Sequence, residues 1–388
     1  MTIAHYHPRV SKDVVVVGLG VVGLSTAAEL AARGDRVVGI ERATVGHAAG
    51  SSTGASRSIR ATYEQPHYAL LVLRAIDRWQ ALASATGRAI LHLTGQIDLG
   101  PEAKLRTFVE TVGAAGIDIE ELDAADLRGR FPELAPRPDE VGLFHPTAGT
   151  VLAEEAMAAL AEHAVGHGAT LFEHRSVTAV EPTTAGIAVE TTEERFDAEV
   201  AVIAAGPWSN ELLEPLGLSL PLAPALGQVT FFNDHGLVGR PAFADWHVDA
   251  GEGVYGHPVP GIGYKLGFDA AGTEPWRADA AAWDPDPVEE GELLAYVRSR
   301  LPGFPARPLK TQRHPWTMTP DSDFVIDRRG AVAVVAGCSG HAFKFGPALG
   351  ELVADVVDGV DRGDAAPFRL DRPALRASAP PPDTPIAR

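Results

Sequence analysis

The sequence has little that could crosslink it, hold a metal or carry it into a membrane. It contains one cysteine, Cys338, which excludes an intramolecular disulfide and a cysteine metal cluster, so no metal site is expected. A chain without disulfides suits a reducing compartment, and we expect a cytoplasmic location. No apolar run approaches the roughly 20 residues of a membrane span. The first residues, MTIAHYHPRVSK, lack the layout of a signal peptide.

Basic residues are also scarce relative to acidic ones. The 33 Lys and Arg against 51 Asp and Glu give a formal net charge of −18. Such a charge repels the phosphates of nucleic acids and anionic membrane surfaces, so we expect neither as a partner. The 45% hydrophobic content is ordinary for a globular protein, and 388 residues suffice for two domains with substantial cores. The last residues, 377–388, are rich in proline and predict a flexible tail.

The N-terminal segment has the pattern of a dinucleotide-binding unit. In DVVVVGLGVVG (13–23), four valines lead into Gly18, Gly20 and Gly23, and an alanine-rich helix is predicted to follow. These glycines allow a tight turn, a close approach of a pyrophosphate to the helix N-terminus, and close packing of helix on strand. A second strand, RVVGIE, ends at Glu41, where a carboxylate can bind ribose hydroxyls. Because Glu41 suits a ribose that carries no phosphate, it favours FAD or NAD over NADP as the bound dinucleotide.

The order of the later strands favours FAD over NAD. VAVIAAG (200–206) and AVAVVAG (331–337) each end in Ala-Gly before polar residues, so a large insertion interrupts the first sheet. Nicotinamide dehydrogenases usually complete their sheet without an insertion after which the chain comes back to it.

Residues 218–310 alternate apolar and polar positions between proline-rich turns, which predicts an antiparallel sheet in a separate layer.

A third motif joins a predicted strand to a predicted helix. In GCSGHAFKFGPALGE (337–351), Pro347 suits the first turn of a helix, and Leu349, Leu352 and Val353 begin its core-facing stripe. The positive end of this helix is predicted to point into the preceding turn, where it would suit an anion or an electron-rich ring.

Five motifs together resemble the monomeric sarcosine oxidase and N-methyltryptophan oxidase family of FAD-dependent amine oxidases, within the D-amino-acid-oxidase group. The resemblance runs from Asp13 to about Arg376. The motifs are GLGVVG (18–23), HAAGSSTGASRSIR (47–60), AAGPWSNELL (204–213), GYKLGFD (263–269) and GCSGHAFKFGP (337–347).

The resemblance implies an α/β fold, with a Rossmann-like FAD-binding domain of the glutathione-reductase type and a second, antiparallel-sheet substrate domain. We predict a discontinuous FAD-binding domain of residues 1–87, 150–217 and 311–376. The substrate domain is predicted to comprise residues 88–149 and 218–310. FAD would lie extended across the first domain, with its ring at the join of the two.

The family also implies roles for particular side chains. The lysine of the GHxFK pattern, here Lys344, would hold a substrate carboxylate together with Arg60, which supplies a planar fork. Lys265 would activate oxygen beside the flavin, which favours an oxidase, and Arg57 would contact the flavin itself. Purely structural roles stay open for each of them. Lys344 could be a surface lysine, Lys265 an exposed strand lysine and Arg57 a member of a surface ion pair. His341 could be a capping or core histidine.

The complete set of candidate residues follows from the same resemblance. Catalytic roles fall to Lys265, Arg57, His341 and Asp269, and substrate contacts to Arg60, Lys344, Val254 and Tyr255. Contacts to FAD are predicted for Gly18, Gly20, Val22, Gly23, Glu41, Arg42, His47, Ser51, Ser52, Arg57, Val177, Gly206, Trp208, Gly337, Gly340, His341 and Lys344.

The sequence departs from the family pattern at several positions. The cysteine that commonly anchors FAD is replaced by His314, so FAD is predicted to be non-covalent, with His47 and then His314 as covalent candidates. Asp269 replaces a common histidine, and Val254 stands where a substrate-shielding tyrosine is expected. Asp269 could hold a second cationic group, act as a base, or pair with an arginine. These changes favour a bulkier N-methyl amino acid or a cyclic amino or imino acid over sarcosine.

The resulting prediction is an FAD-dependent oxidase that converts such an amine and O₂ into an imine and hydrogen peroxide. Three alternatives remain: a dehydrogenase that passes electrons to a carrier, a flavin monooxygenase, and a flavin-binding protein without turnover. Either a monomer or a homodimer is compatible with the sequence.

Overall fold

The computed structural model describes residues 11–233, 235–247, 253–269, 283–304, 307–361 and 363–376. The tail predicted at 377–388 lies outside the described residues. The helices are α1 (Val21–Ala32), α2 (Pro66–Thr86), α3 (Glu102–Ala114), α4 (Ala124–Arg130), α5 (Ala153–Gly166), α6 (Ser209–Leu213), α7 (Pro287–Arg300) and α8 (Gly346–Asp358). In the described parts of the chain, no helix is both long enough and apolar enough to cross a bilayer.

The strands follow the same numbering along the chain. They are β1 (Asp13–Val17), β2 (Arg36–Ile40), β3 (Ser56–Ile59), β4 (Leu91–His92), β5 (Gln96–Leu99), β6 (Glu120–Leu122), β7 (Gly142–His145), β8 (Gly149–Leu152), β9 (Thr170–Phe172), β10 (Val177–Pro182), β11 (Ile187–Thr191), β12 (Arg195–Ala198), β13 (Val200–Ile203), β14 (Ala223–Phe232), β15 (Ala242–Asp245), β16 (Val254–Val259), β17 (Gly263–Phe268), β18 (Pro308–Met318), β19 (Val325–Arg329) and β20 (Val332–Ala336).

A six-stranded sheet with the order β19-β20-β13-β1-β2-β9 contains the dinucleotide motif. All its pairs are parallel except β19 with β20. Both faces are covered, which explains why the valines of β1 form an unbroken apolar run. Val14 and Val16 pack in the core formed with α1, α2, α5 and α8, whereas Val15 and Val17 face the sheet β10-β11-β12. The predicted Rossmann-like fold is confirmed.

An eight-stranded sheet with the order β18-β14-β17-β16-β15-β5-β7-β6 forms the second layer. It is antiparallel, as predicted, except that β15 pairs parallel with β5. The predicted division between residues 310 and 311 falls inside β18, which pairs with β14 along its length. That boundary therefore cuts a continuous strand, because the cross-strand pairing of β18 continues through residue 311 and beyond.

A small sheet with the order β3-β8-β4 was not predicted. The strand β3 is only four residues long and has the sequence SRSI, too short and polar for its alternation to stand out. It lies within the HAAGSSTGASRSIR motif and pairs antiparallel with β8. Four residues of this motif, Ser56–Ile59, are thereby fixed on a strand, whereas residues 47–55 form turns.

Candidate functional site

Two cavities lie side by side between the two large sheets. The larger, of about 420 Å³, begins at the carboxyl ends of β1, β2 and β13, which is where open α/β sheets bind ligands. The smaller, of about 120 Å³, lies beside it. Seven residues line both cavities and form a shared wall: Arg57, Tyr255, Lys265, Trp316, Gly340, His341 and Phe343.

The glycines of the first motif shape one end of the larger cavity. Gly18 has φ +90°, and a Cβ atom at this position would lie 2.5 Å from the carbonyl oxygen of Ala204. A Cβ on Gly23 would overlap the carbonyl of Gly18, so this glycine allows α1 to pack closely on the turn. Gly20 lines the cavity and is the N-cap of α1, with Ser52 nearby. The first N–H of α1, that of Val21, donates a hydrogen bond of 2.9 Å to the Ser52 hydroxyl, and Val22 and Gly23 line the cavity beside it, so this helix N-terminus suits an anion such as a pyrophosphate.

Glu41 is buried at the end of β2 and lines the larger cavity. Its carboxylate accepts hydrogen bonds from the backbone N–H groups of Leu19 at 2.9 Å and Ala43 at 3.2 Å, and Nε2 of His47 lies 3.4 Å away. Burial alone would raise the pKa of Glu41, but the contacts with His47, Leu19 and Ala43 outweigh it and lower the pKa. The carboxylate is therefore ionised at neutral pH and can accept hydrogen bonds from ribose hydroxyls.

Most residues predicted to bind FAD line the larger cavity. They are Gly18, Gly20, Val22, Gly23, Glu41, Arg42, His47, Ser51, Ser52, Arg57, Val177, Gly206, Trp208, Gly340 and His341. The glycine cradle, the ionised carboxylate and the N-terminus of α1 fit the pyrophosphate and ribose of FAD, and these residues would hold it.

Two residues predicted to contact FAD, Gly337 and Lys344, do not line the larger cavity, and their contacts with FAD stay predictions. Gly337 lines neither cavity; it is glycine because its φ is +61° and a Cβ would overlap the side chain of Thr319. Lys344 lines the smaller cavity only; it belongs to a 3₁₀ turn (Ala342–Phe345), and its side chain bonds to Tyr63, which lines the same cavity.

That turn also changes the prediction for α8. Gly346, the first residue of α8, packs against α1, where a Cβ would lie 2.6 Å from the side chain of Val21. The first turn of α8 lines neither cavity. The residues of this motif that line one or both cavities are Cys338, Gly340, His341, Ala342, Phe343 and Lys344. The 3₁₀ turn runs directly into α8, so its residues line the cavities in place of the first turn of α8, and the electrostatic role of this helix N-terminus stays a prediction.

The shared wall carries two cations bound to one oxygen. The carbonyl of Ser56 accepts a hydrogen bond of 2.6 Å from Nζ of Lys265 and one of 2.7 Å from Nη1 of Arg57. Burial, and secondarily the charge of Arg57, lowers the pKa of Lys265 well below its ordinary value. Burial lowers the pKa of Arg57 to about 10. This wall favours negative charge on whatever group binds against it.

His257 lies next to the shared wall, in contact with Ser56, and was not predicted. It lines the smaller cavity, is fully buried, and its Nε2 lies 3.1 Å from Oγ of Ser56. Burial, followed by the charge of Lys265, holds the pKa of His257 well below its ordinary value. Its position two residues after Tyr255 on β16 could have indicated it, because alternate residues of a strand share a face.

Both histidines considered for covalent attachment line the larger cavity. His47 lies near Glu41, whereas His314 is buried and its Nδ1 has no hydrogen-bond partner among the described residues. Burial lowers the pKa of His314 well below its ordinary value, so its imidazole is neutral. Burial also raises the pKa of the Cys338 thiol to about 12, which leaves this cysteine unreactive as a nucleophile.

The smaller cavity brings together the two cations predicted to hold a carboxylate. The guanidinium carbon of Arg60 lies 4.6 Å from the ring centroid of Tyr63, and Nζ of Lys344 donates a hydrogen bond of 2.9 Å to the hydroxyl of the same tyrosine. Lys344 is buried, which excludes a surface role. Tyr63 was not predicted, because nothing in its local sequence distinguishes it from a core tyrosine.

Asp269 and Trp246 complete this end of the cavity. A carboxylate oxygen of Asp269 lies 3.9 Å from Nη2 of Arg60. The indole ring of Trp246 lies beside Arg60, and its Nε1 donates a hydrogen bond of 3.2 Å to the buried carboxylate of Asp98. Burial raises the pKa of Asp98.

His341 lines both cavities, but Val254 lines neither. Val254 is fully buried in the core of the eight-stranded sheet with Leu266 and Phe243. Since neighbouring residues of a strand point to opposite faces, Tyr255 takes the cavity position instead. The predicted substrate contact at Val254 is therefore corrected to Tyr255, which was predicted as well.

Comparison with known proteins gives one consistent family. Residues 13–356 match the DAO family, described as FAD dependent oxidoreductase. The chain is 35% identical to monomeric sarcosine oxidase of Streptomyces avermitilis, over 95% of this chain and 98% of that protein. It is 32% identical to N-methyl-L-tryptophan oxidase of Yersinia pestis, over 88% of this chain and 94% of that protein.

Among solved structures, the chain is similar to NikD, an unusual amino acid oxidase essential for nikkomycin biosynthesis. The TM-score is 0.81 with 28% sequence identity, covering 93% of this chain and 98% of NikD. With the glycine cradle and Glu41 in place, the chain belongs to the DAO family of FAD-dependent oxidoreductases and is related to its sarcosine oxidase and N-methyltryptophan oxidase members.

Proposed function

We propose that this protein is an oxidase of an amino acid whose nitrogen is secondary, either N-methylated or part of a ring, and that it produces an imine and hydrogen peroxide. One observation carries the proposal. The cavity that holds Arg60 and Lys344 shares a wall with the dinucleotide cavity, and Lys265 lies in that wall.

Arg60 and Lys344 are suited to bind the substrate carboxylate. An arginine offers a planar fork of donors and a lysine a compact charge, so together they fix both the position and the rotation of a carboxylate. The contacts of both side chains with Tyr63 restrict their motion before the substrate arrives. Such preorganisation lowers the entropic cost of holding the substrate against the shared wall.

Bound FAD supplies the redox chemistry, accepting a hydride equivalent from the carbon beside the nitrogen and passing the electrons to O₂. The chain contributes orientation and electrostatics. Arg57 and Lys265 place positive charge at the wall where negative charge builds up on reduction. Water then hydrolyses the imine, or leaves it intact where it is cyclic.

Lys265 also supports an oxidase over a dehydrogenase. Transfer of the first electron to O₂ creates an anion, which a cation at the wall stabilises. Lys265 is buried and lines both cavities, instead of pointing into solvent. A flavin monooxygenase would leave the paired Arg60 and Lys344 without a role.

The smaller cavity also favours a secondary amine with an apolar body. Tyr63, Trp246 and Tyr255 give it aromatic walls, and Asp269 lies near enough to Arg60 to serve as its partner. We therefore assign Asp269 to the orientation of Arg60. The relatives named for sarcosine and N-methyl-L-tryptophan support an N-methyl or cyclic amino acid.

Anaerobic mixing of the FAD-loaded protein with a panel of amino acids tests the proposal. The panel contains sarcosine, N-methyltryptophan, proline and pipecolate, with the matching amines that lack the carboxylate as controls. We expect at least one amino acid to bleach the flavin absorbance, and air to restore it with formation of peroxide. Absence of bleaching by every amino acid, or bleaching without peroxide in air, would contradict an amino-acid oxidase.

We further propose that FAD is held without a covalent bond, in a cytoplasmic protein that is a monomer or a homodimer. Acid precipitation tests the linkage: free FAD remains in the supernatant, whereas covalent FAD colours the pellet. In the latter case His314→Ala and His47→Ala identify the attachment site, because only one of them would release the colour.

A further inference from the structure

Ser56 lies at the centre of a buried polar cluster with three different contacts. Its carbonyl oxygen accepts hydrogen bonds from Lys265 at 2.6 Å and Arg57 at 2.7 Å. Its hydroxyl lies 3.1 Å from Nε2 of His257. Ser56 and His257 are both fully buried. One residue thus contacts two cations through its main chain and a histidine through its side chain.

The two cations repel each other, so their common acceptor must be held firmly. Among the described residues, no carboxylate lies within ion-pair distance of Arg57 or Lys265. Arg57 also donates to the carbonyls of Ser51 and Thr53, so the Ser56 carbonyl is the acceptor that both cations share and matters most for Lys265. Ser56 is the first residue of β3, an edge strand that only β8 holds by pairing. A side-chain contact at Ser56 therefore adds a restraint to a strand that is paired on one side only.

His257 can supply that restraint without adding charge. It lies opposite Lys265 in the register of β16 and β17 and stacks on Tyr255, with ring centroids 6.2 Å apart. The charged groups that face it are Lys265 on β17, Arg57 on β3 and Lys344 in the 3₁₀ turn, all of them cations. A neutral imidazole can form a hydrogen bond with the Ser56 hydroxyl here, whereas a protonated one would be a further buried cation.

We propose that His257 is a positioning residue that acts through Ser56, fixing the carbonyl that holds Lys265 and Arg57 in the shared wall. The inference rests on the proposed role of Lys265 in the reaction with oxygen. It identifies the side chains that keep this cation in place.

Rapid mixing of the FAD-loaded protein measures the two half-reactions separately. We expect Ser56→Ala and His257→Phe each to slow recolouring by O₂ about fivefold to tenfold, the rate equivalent of one buried hydrogen bond. The double variant is expected to be no slower than either single one, because both changes remove the same contact. Anaerobic bleaching by the amine should slow as well, because His257 lines the smaller cavity and the two cations also favour the reduced flavin, but by less than recolouring, since Arg60 and Lys344 are untouched.

His257→Gln provides the matched control, because its amide can reach the position of Nε2 and should restore recolouring. If Gln is no better than Phe, or if the single effects multiply in the double variant, the contact does not act through Ser56 and the inference is overturned. Equal slowing of bleaching and recolouring would indicate general damage and would also overturn it. The reduction potential of the flavin gives a second readout, expected to fall in Ser56→Ala as the cations are held less firmly.

Lys265→Met separates this inference from the proposed function. If Lys265→Met recolours as fast as the unaltered protein, the proposed role of Lys265 fails. If it slows recolouring while Ser56→Ala and His257→Phe do not, only the role of His257 fails.

Discussion

Lys344 donates a hydrogen bond of 2.9 Å to the hydroxyl of Tyr63. The guanidinium of Arg60 lies over the ring of the same tyrosine, so one phenol sets the spacing between two cations. The backbone of Lys344 is fixed as well, because its carbonyl accepts a hydrogen bond of 2.8 Å from the indole of buried Trp79. The predicted carboxylate clamp is thus held by side chains that belong to the core of the FAD-binding layer.

Replacing Lys344 with methionine tests the clamp, because methionine keeps most of the volume and removes the charge. We expect kcat/KM for the best amino acid to fall by about 100-fold, the loss of one charge-assisted contact in a buried site. Steady-state peroxide assays measure it, and the corresponding amine without a carboxylate should be affected far less.

Tyr63→Phe is the control for this variant. It removes the hydroxyl that Lys344 contacts but keeps both the lysine and the ring below Arg60, so we expect a smaller loss of kcat/KM. If the carboxylate-free amine suffers as much as the amino acid in Lys344→Met, the lysine does not bind the carboxylate.

Replacing Lys265 with methionine should slow the reaction of the reduced protein with O₂ by about 100-fold or more, because electrostatic stabilisation of the developing anion is lost. Lys310→Met is a matched control. Its ammonium lies 4.8 Å from the ring of Phe231, which Lys265 approaches to 5.8 Å, but Lys310 is exposed. Stopped-flow recolouring measures both variants. Comparable slowing in the two would show that any nearby positive charge has this effect, and would contradict a specific role of Lys265.

The pH dependence of recolouring gives an independent check. Burial lowers the pKa of Lys265 below its usual 10.5, so the cation is present below that lowered pKa and is lost as the pH rises through it. The rate with O₂ should therefore fall with rising pH, beginning below pH 10.5. The fall should be absent in Lys265→Met. A rate that rises with pH in the unaltered protein would contradict the assignment.

The sequence predicted the parts of this molecule that depend on local patterns. The glycine spacing and Glu41 identified the dinucleotide end because turn geometry and strand length are encoded over some 25 residues. The contributions of Tyr63, His257 and Trp246 were missed, since each acts through a partner distant in the chain. Val254 was misplaced relative to Tyr255 because a shift of one residue reverses the face of a strand. The 3₁₀ turn before α8 was missed because short helical turns leave no periodic signal.

Two glycines with nearly equal φ angles allow a test of the dinucleotide cradle. Gly18 has φ +90° and would place a Cβ 2.5 Å from the carbonyl oxygen of Ala204, whereas Gly34 has φ +91° with no atom within 4 Å. Alanine at either position carries the strain of a left-handed residue, about 1 kcal/mol. We expect only Gly18→Ala to displace the turn and reduce FAD content after purification. FAD absorbance per protein and thermal unfolding of both variants measure this, and equal FAD loss would mean that strain alone is responsible.

A buried ion cluster behind Trp246 should control the stability of the eight-stranded sheet. Arg300, on α7, donates hydrogen bonds of 3.0 Å to Asp245 and 2.7 Å to Glu140. Both carboxylates are buried, so Arg300→Met leaves them without their main counter-charge and should lower the free energy of unfolding by about 3–5 kcal/mol. Arg298→Met, two residues earlier on the same helix at an exposed position, should change it by less than about 0.5 kcal/mol.

The same cluster predicts how stability responds to acid. Burial opposes ionisation of Asp245, but Arg300 and the backbone N–H of His247 outweigh it and lower the pKa of Asp245 below its ordinary 3.8. A carboxyl with a lowered pKa stabilises the fold above its unfolded pKa, and this contribution is lost as the pH falls through the folded value. Without Arg300 the pKa of Asp245 rises, so the variant should begin to lose stability at a higher pH than the unaltered protein. Urea unfolding between pH 3 and 7 would measure the shift, and parallel curves for the two proteins would rule out Arg300 as the group that keeps Asp245 ionised.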